Sequence, residues 1–100
     1  MKTPNGEVGH SPTSVTVGTS VKRFMDINPM RQNAMVTNNS SIVCYIGLSM
    51  GVNSNNGLQL NEGDVFIIDK DNPYSGELFA ITASGTANLR IMQVSRAVNG

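Results

Sequence analysis

Ile42-Val43-Cys44-Tyr45-Ile46-Gly47-Leu48 is the stretch that decides the fold class. Ile42, Cys44, Ile46 and Leu48 fall on one face of an extended chain, and Val43 and Tyr45 make the opposite face apolar too. A segment apolar on both faces, too short for a buried helix, reads as a strand in the middle of a sheet with both sides covered. Polar turn signals bound it, Asn38-Asn39-Ser40-Ser41 before and the Gly/Asn/Ser-rich run 50–57 after.

Working outward, the same grammar repeats. Toward the N-terminus, Ala34–Thr37 reads as a strand, preceded by the turn Asp26-Ile27-Asn28-Pro29. Ser20–Met25 and Thr13–Val17 precede that turn, with Val15 and Val17 alternating against Ser14 and Thr16. Toward the C-terminus, Leu58 and Leu60 lead to the tight turn Asn61-Glu62-Gly63-Asp64, and Val65–Ile68 follows at once. Asp69-Lys70-Asp71-Asn72-Pro73 is a loop. Leu78–Ala83 and Ala87–Val94 read as a hairpin around Ser84-Gly85, with Ala87, Leu89 and Ile91 inward and Asn88, Arg90 and Met92 outward. No window sustains a helical apolar period. The sum is an all-β chain: a single small β-sandwich, jelly-roll or immunoglobulin-like, of about eight short antiparallel strands. Residues 1–12 carry one hydrophobe, Val8, among Gly, Pro and polar residues. They are expected to form an extended N-terminal arm, ahead of a domain at 13–96 and a tail at 97–100.

Composition narrows the function. Seven Lys and Arg balance seven Asp and Glu, and the cations are scattered among acids, which argues against nucleic acid as a partner. Charged residues are 14% of the chain, against about 25% in a typical domain. Asn, Ser and Thr supply the polarity instead. Neutral polar groups cost less to desolvate than charges, so such a surface suits docking on another protein or on sugars. No segment has the length and apolarity of a membrane span, and Met1–Pro12 lacks the apolar core of a signal peptide. A cytoplasmic site of synthesis is expected, with no membrane partner.

Candidate chemistry is sparse. Cys44, the sole cysteine, lies in the apolar run and reads as a small core hydrophobe. His10, the sole histidine, lies in the arm with no neighbouring ligand or carboxylate, short of what acid–base or metal chemistry requires. Asp64, Asp69, Asp71 and Asn72 could supply oxygens to Ca²⁺, but Lys70 interrupts them and turn formation explains them as well. Gly47-Leu48-Ser49-Met50-Gly51 matches the G-x-S-x-G string without the helix or downstream histidine that give it meaning. Tyr74, in a Pro-Tyr-Ser-Gly loop, is the aromatic expected to stand exposed and the one candidate for sugar stacking. The expectation is a non-enzymatic protein with no catalytic residues, no cofactor and no metal.

Several segments then arrive in a recognisable order. Ser14-Val15-Thr16-Val17-Gly18 is followed by Asn28-Pro29-Met30-Arg31 and Asn38-Asn39-Ser40. Val43-Cys44-Tyr45-Ile46-Gly47, Gly57-Leu58-Gln59-Leu60 and Glu62-Gly63-Asp64 come next. Tyr74-Ser75-Gly76, Leu78-Phe79-Ala80-Ile81 and Ser84-Gly85-Thr86-Ala87-Asn88-Leu89-Arg90-Ile91 complete the series. Over about residues 13–95 this resembles small virion structural proteins of tailed bacteriophages, head-decoration or head-associated. The resemblance implies a compact β-sandwich on the capsid surface, assembled in the host bacterial cytoplasm. Its partners would be the major capsid protein or other virion proteins, and its own copies, with a trimer favoured. It carries over no catalytic residue. The arm before Thr13 departs from that pattern, and the resemblance does not settle its role; Thr3, Pro4, Val8, His10 and Pro12 are its candidate partner contacts, with Tyr74 a possible loop contact. Arg31 is expected to tie its turn to a carbonyl or carboxylate, and Gly76 to allow the bend before Leu78. A head-fibre base, neck or tail protein is the alternative within the virion, and a carbohydrate-binding module the alternative outside it.

Overall fold

A computed structural model describes the backbone at residues 9–10 and the whole of residues 13–95. Nine extended segments run along it: β1 (Gly9–His10), β2 (Thr13–Val17), β3 (Lys22–Met25), β4 (Arg31–Asn38), β5 (Cys44–Gly47), β6 (Leu58–Leu60), β7 (Val65–Ile68), β8 (Leu78–Thr82) and β9 (Ala87–Ser95). No described residue is helical. β1 and β2 hold one continuous register along β9, from Gly9 opposite Ser95 to Val17 opposite Ala87, so they occupy a single edge position. Sheet pairing therefore reaches back to Gly9, four residues before the expected start of the domain.

The pairing pattern settles the architecture. β2 pairs with β9, β3 with β8, β4 with β7 and β5 with β6, all antiparallel. Four strands going out thus meet four coming back, and the ribbon is wound into two sheets. One sheet has the order β2-β9-β4-β7, with β1 extending the β2 edge, and the other is β3-β8-β5-β6. This is the connectivity of a jelly roll. The alternatives of an immunoglobulin-like sandwich and a small barrel drop out.

The core lies between the sheets. Val17, Val36, Leu89 and Ile91 come from one sheet and Cys44, Ile46, Leu60, Leu78 and Ala80 from the other, all buried. Alternation along β4 from Ala34 onward and along β9 from Ala87 to Met92 places these side chains, since residues two apart share a face. Burial pushes the Cys44 thiol up to about 11, chiefly by desolvation, so it stays neutral in the core.

Three local expectations change. Leu78–Thr82 and Ala87–Ser95 are not a hairpin: β8 is flanked by β3 and β5, and β9 by β2 and β4, so neither has a free side for the other. The segment 83–86 is an arch between sheets, held by Thr82 Oγ1 donating to Gly85 O (2.8 Å) with Gly85 at φ 77°. Asn38 belongs to β4, not to a turn, and is fully buried. Its amide nitrogen donates to Ile42 O and Leu60 O, and its oxygen accepts from Ser40 Oγ, so every buried polar atom has a partner. β5 is interior to its sheet as expected, but it spans only Cys44–Gly47, and Leu48 lies beyond it, exposed.

Candidate docking face

A sandwich has two outer faces, and each must be covered or left to water. On the β3-β8-β5-β6 sheet, the outward positions are Tyr45 and Gly47 of β5 and Phe79 and Ile81 of β8, since their neighbours Cys44, Ile46, Leu78 and Ala80 point into the core. Loop 48–57 folds back over this face. Val52, the one aliphatic side chain in its middle, is buried there. A Cβ on Gly47 would lie 2.7 Å from Val52 Cγ2, and one on Gly57 would lie 2.7 Å from Tyr45 Cβ, so both glycines are required by close approach. The loop is fixed internally: Asn53 Oδ1 accepts from the Asn55 and Asn56 amides, while Asn56 Oδ1 accepts from Asn53 N and its Nδ2 donates to Gly51 O. The Gly/Asn/Ser-rich run 50–57 thus does more than bound a strand: it buries Val52. Phe79 ends only 6% exposed.

The β2-β9-β4-β7 sheet is different. Met35 is the cross-strand partner of both Ile67 and Met92, so the three form one row across β7, β4 and β9. They are 48%, 45% and 50% exposed, and Val65 beside them is 45% exposed. The next row, Val65-Thr37-Arg90-Ser14, supplies hydroxyls and one cation. Met35, Thr37, Arg90 and Met92, with Thr13 and Ser14, line a shallow depression of about 580 Å³. No loop among the described residues covers this face. A contiguous apolar row rimmed by polar groups is the pattern of an interaction surface, and Met is over-used where a surface must adapt to a partner.

The remaining candidates resolve into structure. Arg31 is buried at the start of β4, where Nη1 donates to Tyr74 O (2.9 Å) and Gly76 O (3.1 Å), Nη2 to Asp26 O (2.7 Å) and Nε to Gln93 Oε1. It ties the Asn-Pro turn to carbonyls, as its position in the sequence suggested. Desolvation lowers its proton affinity and Tyr74 partly offsets this. Arg31 also forms one wall of an open cleft of about 820 Å³ with Asp69, Lys70, Asp71, Pro73 and Tyr74. Tyr74 is half-buried against the core rather than standing exposed, and its hydroxyl donates to Glu77 O (2.8 Å). Gly76 is small because its Cβ would overlap the Tyr74 ring, and it does not adopt a left-handed backbone.

Asp64 and Asp69 sit at opposite ends of β7. Asp64 Oδ2 accepts from Asn61 N, and Asp69 Oδ1 accepts from the amides of Asp71 and Asn72, so both cap turns. No group of three or more potential metal ligands comes together among the described residues. Ser49 is an exposed turn residue whose Oγ accepts from Gly51 N. His10 lies in β1 opposite Val94. Thr3, Pro4, Val8 and Pro12 lie outside the described residues, as does the tail 97–100. No family model, curated protein or solved structure matches the chain.

Proposed function

We infer that this chain is a non-enzymatic structural protein that docks on another protein through the outer face of the β2-β9-β4-β7 sheet. The observation that carries the reading is the row Ile67-Met35-Met92, which no described residue covers, on a molecule whose other outer face is partly covered by loop 48–57. A small domain gains nothing in stability from keeping these side chains in water. Burying them against a partner would remove on the order of a few hundred Å² of apolar surface from solvent, the size of a typical interaction patch.

The finer reading is a tailed-phage virion protein, with capsid decoration its most concrete form. It rests on the resemblance of residues 13–95, on the low charge and on the amide-rich surface. The jelly roll serves capsid proteins and lectins alike, so the fold by itself does not choose between them. Half-burial of Tyr74, with its hydroxyl already bonded, removes the feature that favoured a sugar platform. In the decoration reading, bridging adjacent capsomers would stabilise the shell, and the arm would add contacts to a neighbour. Counting copies by quantitative mass spectrometry of purified particles from the phage that encodes the chain tests this. Hundreds per particle are expected. A dozen or fewer would move the protein to the neck, tail or head fibre, and its absence from particles would overturn the virion reading.

A further inference from the structure

The sandwich has four strand edges, and three carry obstacles to a further strand. β3 carries exposed Lys22 and Arg23 and a register shift between Arg23 and Met25. β6 is three residues long, closed by turns at both ends. On β7, Asn72 Nδ2 donates to Ile67 O (3.0 Å) and Asn72 O accepts from Asp69 N (3.3 Å), so the 69–72 turn covers the C-terminal end of that edge. Charges, bulges, short strands and covering turns are the recognised ways to stop strands from adding to a sheet.

β2 has none of them. It is uncharged, and its pairing with β9 runs from Thr13 to Val17 without a shift. Its free groups follow from the ladder. Asn39 N donates to Asn88 O (2.8 Å), which turns residue 88 toward β4. Alternation then turns 87, 89 and 91 toward β2, where they exchange bonds with Val17, Val15 and Thr13. The N–H and C=O of Ser14 and Thr16 therefore point away from the sheet, and no described residue pairs with them. Both side chains are exposed.

We propose that this edge pairs with the same edge of a second copy, antiparallel, across a two-fold axis through Val15. In that register Ser14 of each copy faces Thr16 of the other, and four amide–carbonyl bonds satisfy all the outward groups reciprocally. Ser–Thr neighbours are favourable across strands, no charge opposes another, and the half-buried Val15 gains its twin. This is a dimer rather than the trimer that the resemblance favours. A five-residue edge is a small interface, below about 1,200 Å² in total, so association is weak and reversible. One consequence rests on the docking reading above: the axis is perpendicular to the sheet, so both Ile67-Met35-Met92 rows face the same way and engage one surface together.

The test uses the full chain in sedimentation analysis from micromolar to millimolar concentration, with amide hydrogen exchange at Ser14 and Thr16. Self-association is expected, with exchange at both amides slowing as concentration rises. The double variant Ser14→Lys/Thr16→Lys opposes like charges twice and should weaken the dimer at least tenfold. Ser14→Lys/Thr16→Glu opposes unlike charges twice and should restore it. Thermal unfolding of the two double variants should nearly agree at low concentration, because both carry Ser14→Lys opposite Arg90 and both positions are exposed. A monomer at every concentration, amides already protected in the monomer, or equal behaviour of the two double variants would each overturn the proposal. None of these outcomes depends on binding to a particle.

Discussion

On the outside of β5 and β8, Tyr45 and Gly47 lie beneath a loop whose buried Val52 plugs the gap between two glycines. On the outside of β4, β7 and β9, Met35, Met92 and Ile67 stand half in water, and no described residue roofs them. The same strand alternation built both faces. The difference is that one apolar outer row is satisfied within the chain and the other is not. A covered face contributes to folding; an uncovered one contributes only when something lands on it. The two therefore respond oppositely to mutation, in stability on one side and in binding on the other.

The largest expected effect is on the covered face. Gly57→Ala would put a methyl 2.7 Å from Tyr45 Cβ and 3.0 Å from Asn53 O, neither of which is the free end of a flexible chain. A loss of about 3 kcal/mol in urea unfolding is expected. A loss below about 0.5 kcal/mol would mean that the loop does not press on this sheet.

Between the two faces, Cys44 supplies an internal standard. Its thiol is held up to about 11 in the folded protein, against 9.0 when unperturbed. The unfolded chain therefore releases the proton first, and stability should fall as pH rises from about 9 to about 11, by on the order of 2–3 kcal/mol. Cys44→Ala should lack this component. Identical pH slopes for the two proteins would show that the thiol is not buried in the core.

Val52→Ala removes the plug and should cost about 2 kcal/mol. Met35→Ser combined with Met92→Ser should change stability by less than about 1 kcal/mol, because both side chains are half-exposed. The same pair should abolish partner binding in a pull-down or particle-association assay. A large stability loss from the methionine pair, or none from Val52→Ala, would collapse the distinction between the faces.

Much of the fold was legible because alternation is a local signal. β2 and β7 begin and end where the pattern of Val and Ile predicted, and the outward side of β9 was read correctly through Asn88, Arg90 and Met92. Arg31 was legible too, since a cation after an Asn-Pro turn has carbonyls within reach. The arch between β8 and β9 was not, because Ser84-Gly85 marks a reversal without saying whether the strands will pair. Asn38 looked like a turn residue by composition; its buried role depends on Leu60 O, 22 residues away. Val52 was hidden by the polarity of its loop. The docking face escaped notice for a different reason: Ile67, Met35 and Met92 become neighbours only through register, which no single strand records.

On the virion reading proposed above, the most direct test of the docking face is a cryo-electron-microscopy reconstruction of a purified particle carrying the protein, detailed enough to orient its strands. Ile67, Met35 and Met92 should lie against the underlying shell, with loop 48–57 turned outward. The reverse orientation, with the methionine row facing solvent on the assembled particle, would contradict the account.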